Sequence, residues 1–123
     1  MANPNIVNVS SIYGGTAYAA PANTSANSLI SNAASSGNII KVDSLTVANV
    51  TGSAALVTVS VNSAAAGGGT AYRIAYQISV PANSTMQVID KNNFVYLTEN
   101  TSLVVTSGTS GALEYVASYE TIA

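Results

Sequence analysis

Apolar and polar residues alternate along most of this chain with a period of two, the pattern of β-strands that bury one face. The plainest run sets Tyr72, Ile74, Tyr76, Ile78 and Val80 against Arg73, Ala75, Gln77 and Ser79. Val57, Val59 and Val61 alternate with Thr58, Ser60 and Asn62 in the same way, as do Leu113, Tyr115, Ala117 and Tyr119 with Glu114, Val116, Ser118 and Glu120. Residues 39 to 50 are also strand-like, but Ile40 and Val42 fall out of phase with Leu45 and Val47. A bulge or a change of sheet is therefore expected near Asp43.

Shorter strands are predicted from Met86 to Ile89, Phe94 to Leu97 and Leu103 to Thr106, with less regular ones from Ile6 to Tyr13 and around Leu29 and Ile30. β-Branched and aromatic residues dominate these segments, and no ten-residue stretch keeps a capped helical period, so helix is expected to be minor. Turn signals fall at Gly14-Gly15, around Pro21, at Ser35 to Asn38, Thr51 to Ser53, Ala64 to Gly69, Pro81 to Asn83, Lys91 to Asn93 and Ser107 to Gly111. Eight or nine short strands divided in this way describe an all-β fold, an antiparallel β-sandwich of jelly-roll type. One sandwich domain is expected over residues 14–123, preceded by residues 1–13 as an extended arm or first strand. Ala64 to Gly69 reads as a flexible hairpin loop, or as a loop that contacts a neighbouring subunit. Gly14-Gly15-Thr16-Ala17-Tyr18 recurs as Gly68-Gly69-Thr70-Ala71-Tyr72, a match that a chain so rich in small residues produces readily.

Composition narrows the chemistry. The 123 residues suffice for one domain. Only 7% are charged, against about a quarter in ordinary globular proteins. The polar surface must therefore be Ser, Thr, Asn and Gln, and so neutral a surface suits a subunit buried in an assembly. A mean hydropathy of +0.35 argues for a folded chain. There is no His and no Cys, which removes imidazole bases, thiolate nucleophiles, disulfides and the usual zinc or haem ligands. Lys41, Arg73 and Lys91 are the only basic residues, too few to track phosphates, so no nucleic-acid partner is expected. The chain shows neither a signal-peptide pattern at its start nor an apolar run long enough to span a bilayer, and no membrane partner is expected.

The remaining motifs point away from catalysis. Asp43, Asp90, Glu99, Glu114 and Glu120 are scattered, and read as solvated surface charges rather than a glycosidase pair. No calcium loop, nucleophile elbow or phosphate loop occurs, so no catalytic residue, metal or cofactor is assigned. The sequons at Asn8, Asn23, Asn49, Asn83 and Asn100 follow from composition. Among the seven tyrosines, Tyr72, Tyr76, Tyr115 and Tyr119 lie on the apolar parity of their strands and are expected in the core or a subunit interface. Tyr13, Tyr18 and Tyr96 are freer to serve at the surface.

Asn5-Ile6-Val7-Asn8-Val9-Ser10-Ser11-Ile12-Tyr13-Gly14 carries a resemblance, together with Tyr72 to Ala75, Val80 to Thr85, Val88 to Lys91, Tyr96 to Glu99, Ser102 to Val105 and Ser118 to Glu120. In these blocks, about half of the chain, it resembles small β-sandwich virion proteins of tailed bacteriophages, particularly marine and cyanobacterial ones. It departs from them at Gly15, where a Lys is expected, and in a longer Ala64 to Gly69 loop. The resemblance implies a non-enzymatic structural subunit of a virion, made in the host cytoplasm. It implies a capsid decoration or cement protein on the major capsid lattice, with a neck, tail or fibre component or a host-receptor or carbohydrate-binding module as alternatives. Partners would be the major capsid protein or neck and tail proteins, and further copies of the chain in a homo-oligomer. The residues expected to make assembly contacts are Ile6, Val7, Val9 and Ile12 in an arm suited to strand addition, with Tyr13, Tyr18 and Tyr96.

Overall fold

The computed structural model describes residues 4–123 and contains nine strands and one short turn of 3-10 helix. The strands are β1 (Ile12–Ala19), β2 (Ala26–Asn32), β3 (Ile39–Asn49), β4 (Ala55–Asn62), β5 (Ala71–Val80), β6 (Thr85–Ile89), β7 (Val95–Leu97), β8 (Thr101–Ser107) and β9 (Leu113–Ile122). Their pairing is nested. β4 pairs with β5, β3 with β6 and β7, β2 with β8, and β1 with β9, all antiparallel. One long folded-over hairpin is thereby rolled into two sheets, ordered β1-β9-β3-β6, with β7 also on β3, and β2-β8-β4-β5. That is a jelly-roll sandwich, as the alternation and turn spacing predict.

The sheets close on one core. Val42, Leu45, Val47, Ile89, Leu97, Leu113, Tyr115 and Ala117 from the first sheet meet Ile30, Val57, Val59, Val80, Leu103 and Val105 from the second. Each fully buried aliphatic side chain contributes roughly 1.5–3 kcal/mol. The bulge expected near Asp43 is present, because the β3–β9 register shifts between Val42 and Ser44. β3 stays in one sheet throughout, so no change of sheet occurs there.

Several expectations are corrected. The first strand begins at Ile12, so the segment from Ile6 is not extended, and the boundary placed at residue 13 falls inside β1. Asn5 to Asn8 form a turn, with the Asn8 amide donating to the Asn5 carbonyl at 3.1 Å; residues 1–3 of the expected arm lie outside the described residues. Gly14-Gly15 is not a turn but mid-strand, and Gly15 leaves room for the Tyr119 ring, whose Cζ would stand 2.6 Å from any Cβ there. The Ala64 to Gly69 loop is not a free loop. Gly67 donates its amide to Ser102 Oγ, Ser102 donates to the Ala64 carbonyl, Asn62 donates to the Gly67 carbonyl, and Ala66 donates to Ser31 Oγ. The tip of the long hairpin thus folds back over the outer face of its own sheet.

Two buried asparagines tie the sheets at the two ends of β3. Asn32, just before it in the chain, donates to the carbonyls of Asn38 and Leu97, and its oxygen accepts from Ser36 Oγ. Asn49, closing β3, donates to the carbonyls of Ser53 and Val80 at 2.8 and 3.0 Å and accepts from Thr51. Asn49 is only 2% exposed, which removes its sequon from any surface role. Tyr115 is the largest fully buried side chain, and its hydroxyl lies 2.9 Å from Ser107 Oγ. Burial raises its phenol above the ordinary 10.0, with the Ser107 hydrogen bond opposing, so it stays neutral in the core.

Asn49→Ala strands the Val80 carbonyl inside the sandwich and is expected to cost roughly 2–4 kcal/mol, since each buried unsatisfied group costs about 1–3 kcal/mol. The exposed Asn92→Ala control should stay within about 0.5 kcal/mol. Urea unfolding of both variants reads the difference.

Candidate functional site

The sequence-predicted contact residues fall into three separate places. Ile6 and Val7 sit on the N-terminal turn, where Val7 is 91% exposed, while Val9 is half-buried. Ser10 and Ser11 then dock that segment on the chain's other end by donating to the Ala123 carbonyl at 2.7 and 3.2 Å. Ile12, Tyr13 and Tyr18 stand exposed on β1, the edge strand beside β9. Tyr18 lies opposite Val116 on the outer face of the sheet. Tyr13 falls on the other parity, so the two tyrosines do not share a face. Tyr96 belongs to β7, separated from β1 by β9 and β3, and pairs with Lys41. Tyr13, Tyr18 and Tyr96 therefore do not gather into an aromatic platform.

Around Tyr96 the sheet builds a small polar cluster that the sequence pattern does not reveal. Phe94 packs edge-on against Tyr96 with centroids 5.3 Å apart, and the Lys41 ammonium sits 4.5 Å over the Phe94 ring. Lys41 also reaches the Asp43 carboxylate at 3.7 Å. Lys41 and Asp43 are two residues apart on β3 and so share a face, with Glu120 opposite Lys41 on β9. Asp43 raises the Glu120 carboxyl above its usual 4.5, first through a shared hydrogen bond and then through like charge, with slight burial adding and Lys41 opposing. Two carboxyls beside each other on an open sheet face lack the walls that a catalytic pair needs.

Four tyrosines were expected in a core or an interface. Tyr115 is buried and Tyr119 half-buried, but Tyr72 is 66% exposed, and Ile74, Tyr76 and Ile78 are exposed with it. Only Val80 of that alternating run enters the core. The reason is positional. β5 is an edge strand with a neighbour on one side, and its ladder with β4 carries two irregularities, one where Gln77 adopts a φ of 48° and donates to Thr58 Oγ1. Arg73 lies over the Tyr76 ring at 5.2 Å.

A cleft of about 410 Å³ opens on the β1 and β2 side, lined by residues that include Ala17, Ile30, Asn32, Ile40, Tyr119 and Thr121. The Asn32 amide and oxygen are already committed to protein partners, so this end is a hydrogen-bonded corner of the fold. Among the described residues, no helix is long and apolar enough to cross a membrane.

The architecture and surface thus define a class, an all-β jelly-roll sandwich that exposes large apolar side chains on its edge strands β1 and β5. No family model and no curated protein matches the chain. A solved chain described with the words "Bacillus endospore appendages form a novel family of disulfide-linked pili" aligns at 18% identity over 91% of this chain and 87% of its own, with a TM-score of 0.47.

The carboxyl pair gives a pH test. Because Glu120 is raised in the folded state, its contribution is present below the unfolded value near 4.5 and is lost as pH rises through the folded value. Glu120→Gln is therefore expected to stabilise at pH 7 and to match wild type at pH 4. The gain should stay under about 1 kcal/mol and shrink with salt, because water screens an exposed pair. Thermal melts at the two pH values measure it.

Proposed function

We propose that this chain is a non-enzymatic structural subunit of a tailed-phage virion, a decoration or cement protein held on the major capsid lattice. The observation that carries this reading is the distribution of apolar surface. Ile12, Tyr13 and Tyr18 on β1 and Tyr72, Ile74, Tyr76 and Ile78 on β5 are exposed in a chain whose charge is only 7%. The fold does not need these side chains, since its core is complete without them. Large apolar groups rimmed by neutral polar residues are what a protein-binding surface presents. Jelly rolls serve capsids and lectins alike, so the fold supports the reading only as analogy. The separation of Tyr13, Tyr18 and Tyr96 favours protein partners over a sugar platform. Ile6 and Val7, exposed on the N-terminal turn, supply a further contact toward the lattice.

The copy number of the chain in purified particles, measured by quantitative mass spectrometry against the major capsid protein, tests the proposal. A decoration subunit is expected on the order of hundreds of copies, as a closed symmetric shell requires. A small ring-sized number would move the chain to the neck, tail or fibres. Absence from the particle would contradict a virion role.

A further inference from the structure

Among the described residues five strands lie at sheet edges or beside them, and all but one are made unfit for pairing with another chain. Unpaired edges are templates for strand addition, and proteins blunt them with charges, bulges or short length. Here β2 is bulged at Leu29, β6 is five residues long and shifts register between Ile89 and Gln87, β7 has three residues, and β5 carries irregularities at Ile74 and at Tyr76-Gln77. β1 has none of these devices. It pairs with β9 through eight successive residues without a shift, from Ile12 against Ile122 to Ala19 against Tyr115. Residues 12–19 contain no charge and no Pro, and none has a positive φ. Among the described residues, no other strand pairs with β1 on its far side.

The two glycines of β1 differ in a way that matters. Gly15 is required by the fold, because the Tyr119 ring occupies the space a side chain would take. Gly14 is not, since a Cβ there would meet nothing within 4 Å and its backbone is ordinary. Glycine within a strand often marks close approach by another group, and among the described residues nothing approaches Gly14 within 4 Å.

We propose that β1 pairs antiparallel with β1 of a second copy of this chain, about a two-fold axis through Thr16, joining two sheets into one. In that register Thr16 opposes its own counterpart, Gly15 opposes Ala17, Gly14 opposes Tyr18 and Tyr13 opposes Ala19. Each large residue meets a small one, and Tyr18, 78% exposed in the single chain, lies across the empty position at Gly14 of the other copy. Thr16 faces outward beside Ser118, and Tyr18 beside Val116, on a face that stays open. No like charges are brought together along the strand, which suits a self-pairing edge and gives a two-fold, self-complementary contact. The segment supplies seven paired residues, about 24 Å of ladder at 3.4 Å each. This inference stands on the geometry of β1 and does not depend on a virion role.

The chain has no cysteine, so a single Thr16→Cys substitution reports the axis directly. Mild oxidation is expected to convert the purified variant into a covalent dimer, whereas Tyr76→Cys on β5 should not cross-link. Gly14→Lys should leave the melting temperature of the monomer unchanged, because its side chain enters open space, while raising the dimer dissociation constant about tenfold or more through the charge placed under Tyr18. Sedimentation velocity of the wild type should show a species of twice 12.3 kDa that Gly14→Lys loses. A wild type that stays monomeric at every concentration would overturn the proposal. So would a dimer that Gly14→Lys leaves intact, or one that cross-links from Tyr76→Cys and not from Thr16→Cys, which would assign the contact to β5. Protection of β1 by an added foreign protein, with no self-association of this chain, would likewise overturn it.

Discussion

The pairing of the first strand with the last is the constraint on which the rest of this structure depends. β1 runs against β9 from Ile12–Ile122 to Ala19–Tyr115, and Ser10, Ser11 and Ala123 extend the closure with their backbone groups. Because the other pairs lie inside that one, each sheet is assembled from strands far apart in the chain. Such non-local order folds slowly and is lost as a unit rather than strand by strand. β9 sits between β1 and β3 and carries Tyr115 and Ala117 into the core, so the closing pair also fills the middle of the sandwich.

Low charge gives the edges their importance. A sandwich ordinarily keeps its edge strands apart from those of other molecules with Lys and Glu, and this chain has few of either to spend on the task. It uses extra residues instead. Leu29, Val88, Ile74 and the Tyr76-Gln77 pair each interrupt a ladder at an edge. The same irregularity on β5 leaves Tyr72, Ile74, Tyr76 and Ile78 in water while denying a neighbour a straight strand to pair with. β5 therefore offers side chains, whereas β1 offers backbone. The two edges thus suit two different kinds of contact, one through main-chain pairing and one through side chains.

Much of the fold was legible because alternation is local. The phase slip between Val42 and Leu45 marks the bulge at Asp43, and the Leu113 to Tyr119 run has the buried face its pattern indicates. The failures share a cause, since each depends on what lies opposite in space. Alternation puts Tyr72 and Tyr76 on one apolar parity, but only the sheet order makes β5 an edge. Gly14-Gly15 carries the signature of a turn, and the reason it stays in a strand is the Tyr119 ring, more than a hundred positions away. Asn49 stands in a sequon and Asn32 in a polar stretch, yet both are inside, satisfied by carbonyls of distant strands. Ser, Gly and Ala in the Ala64 to Gly69 tip carry no pattern that would announce its hydrogen bonds to Ser31 and Ser102. Of the expected contact residues, Ile6, Val7, Ile12, Tyr13 and Tyr18 are exposed, but no local signal could show that two strands, β9 and β3, separate Tyr96 from β1.

The central claim is that bulges and short strands leave β1 as the one regular edge among the described residues and so choose where copies of this chain pair. Amide hydrogen exchange read by mass spectrometry, on the same sample concentrated and diluted, tests this most directly. The account predicts that β1 amides gain protection on concentration while those of β2, β5 and β6 exchange at the same rate in both. Protection gained at β5 or β2 instead, with β1 unchanged, would contradict it.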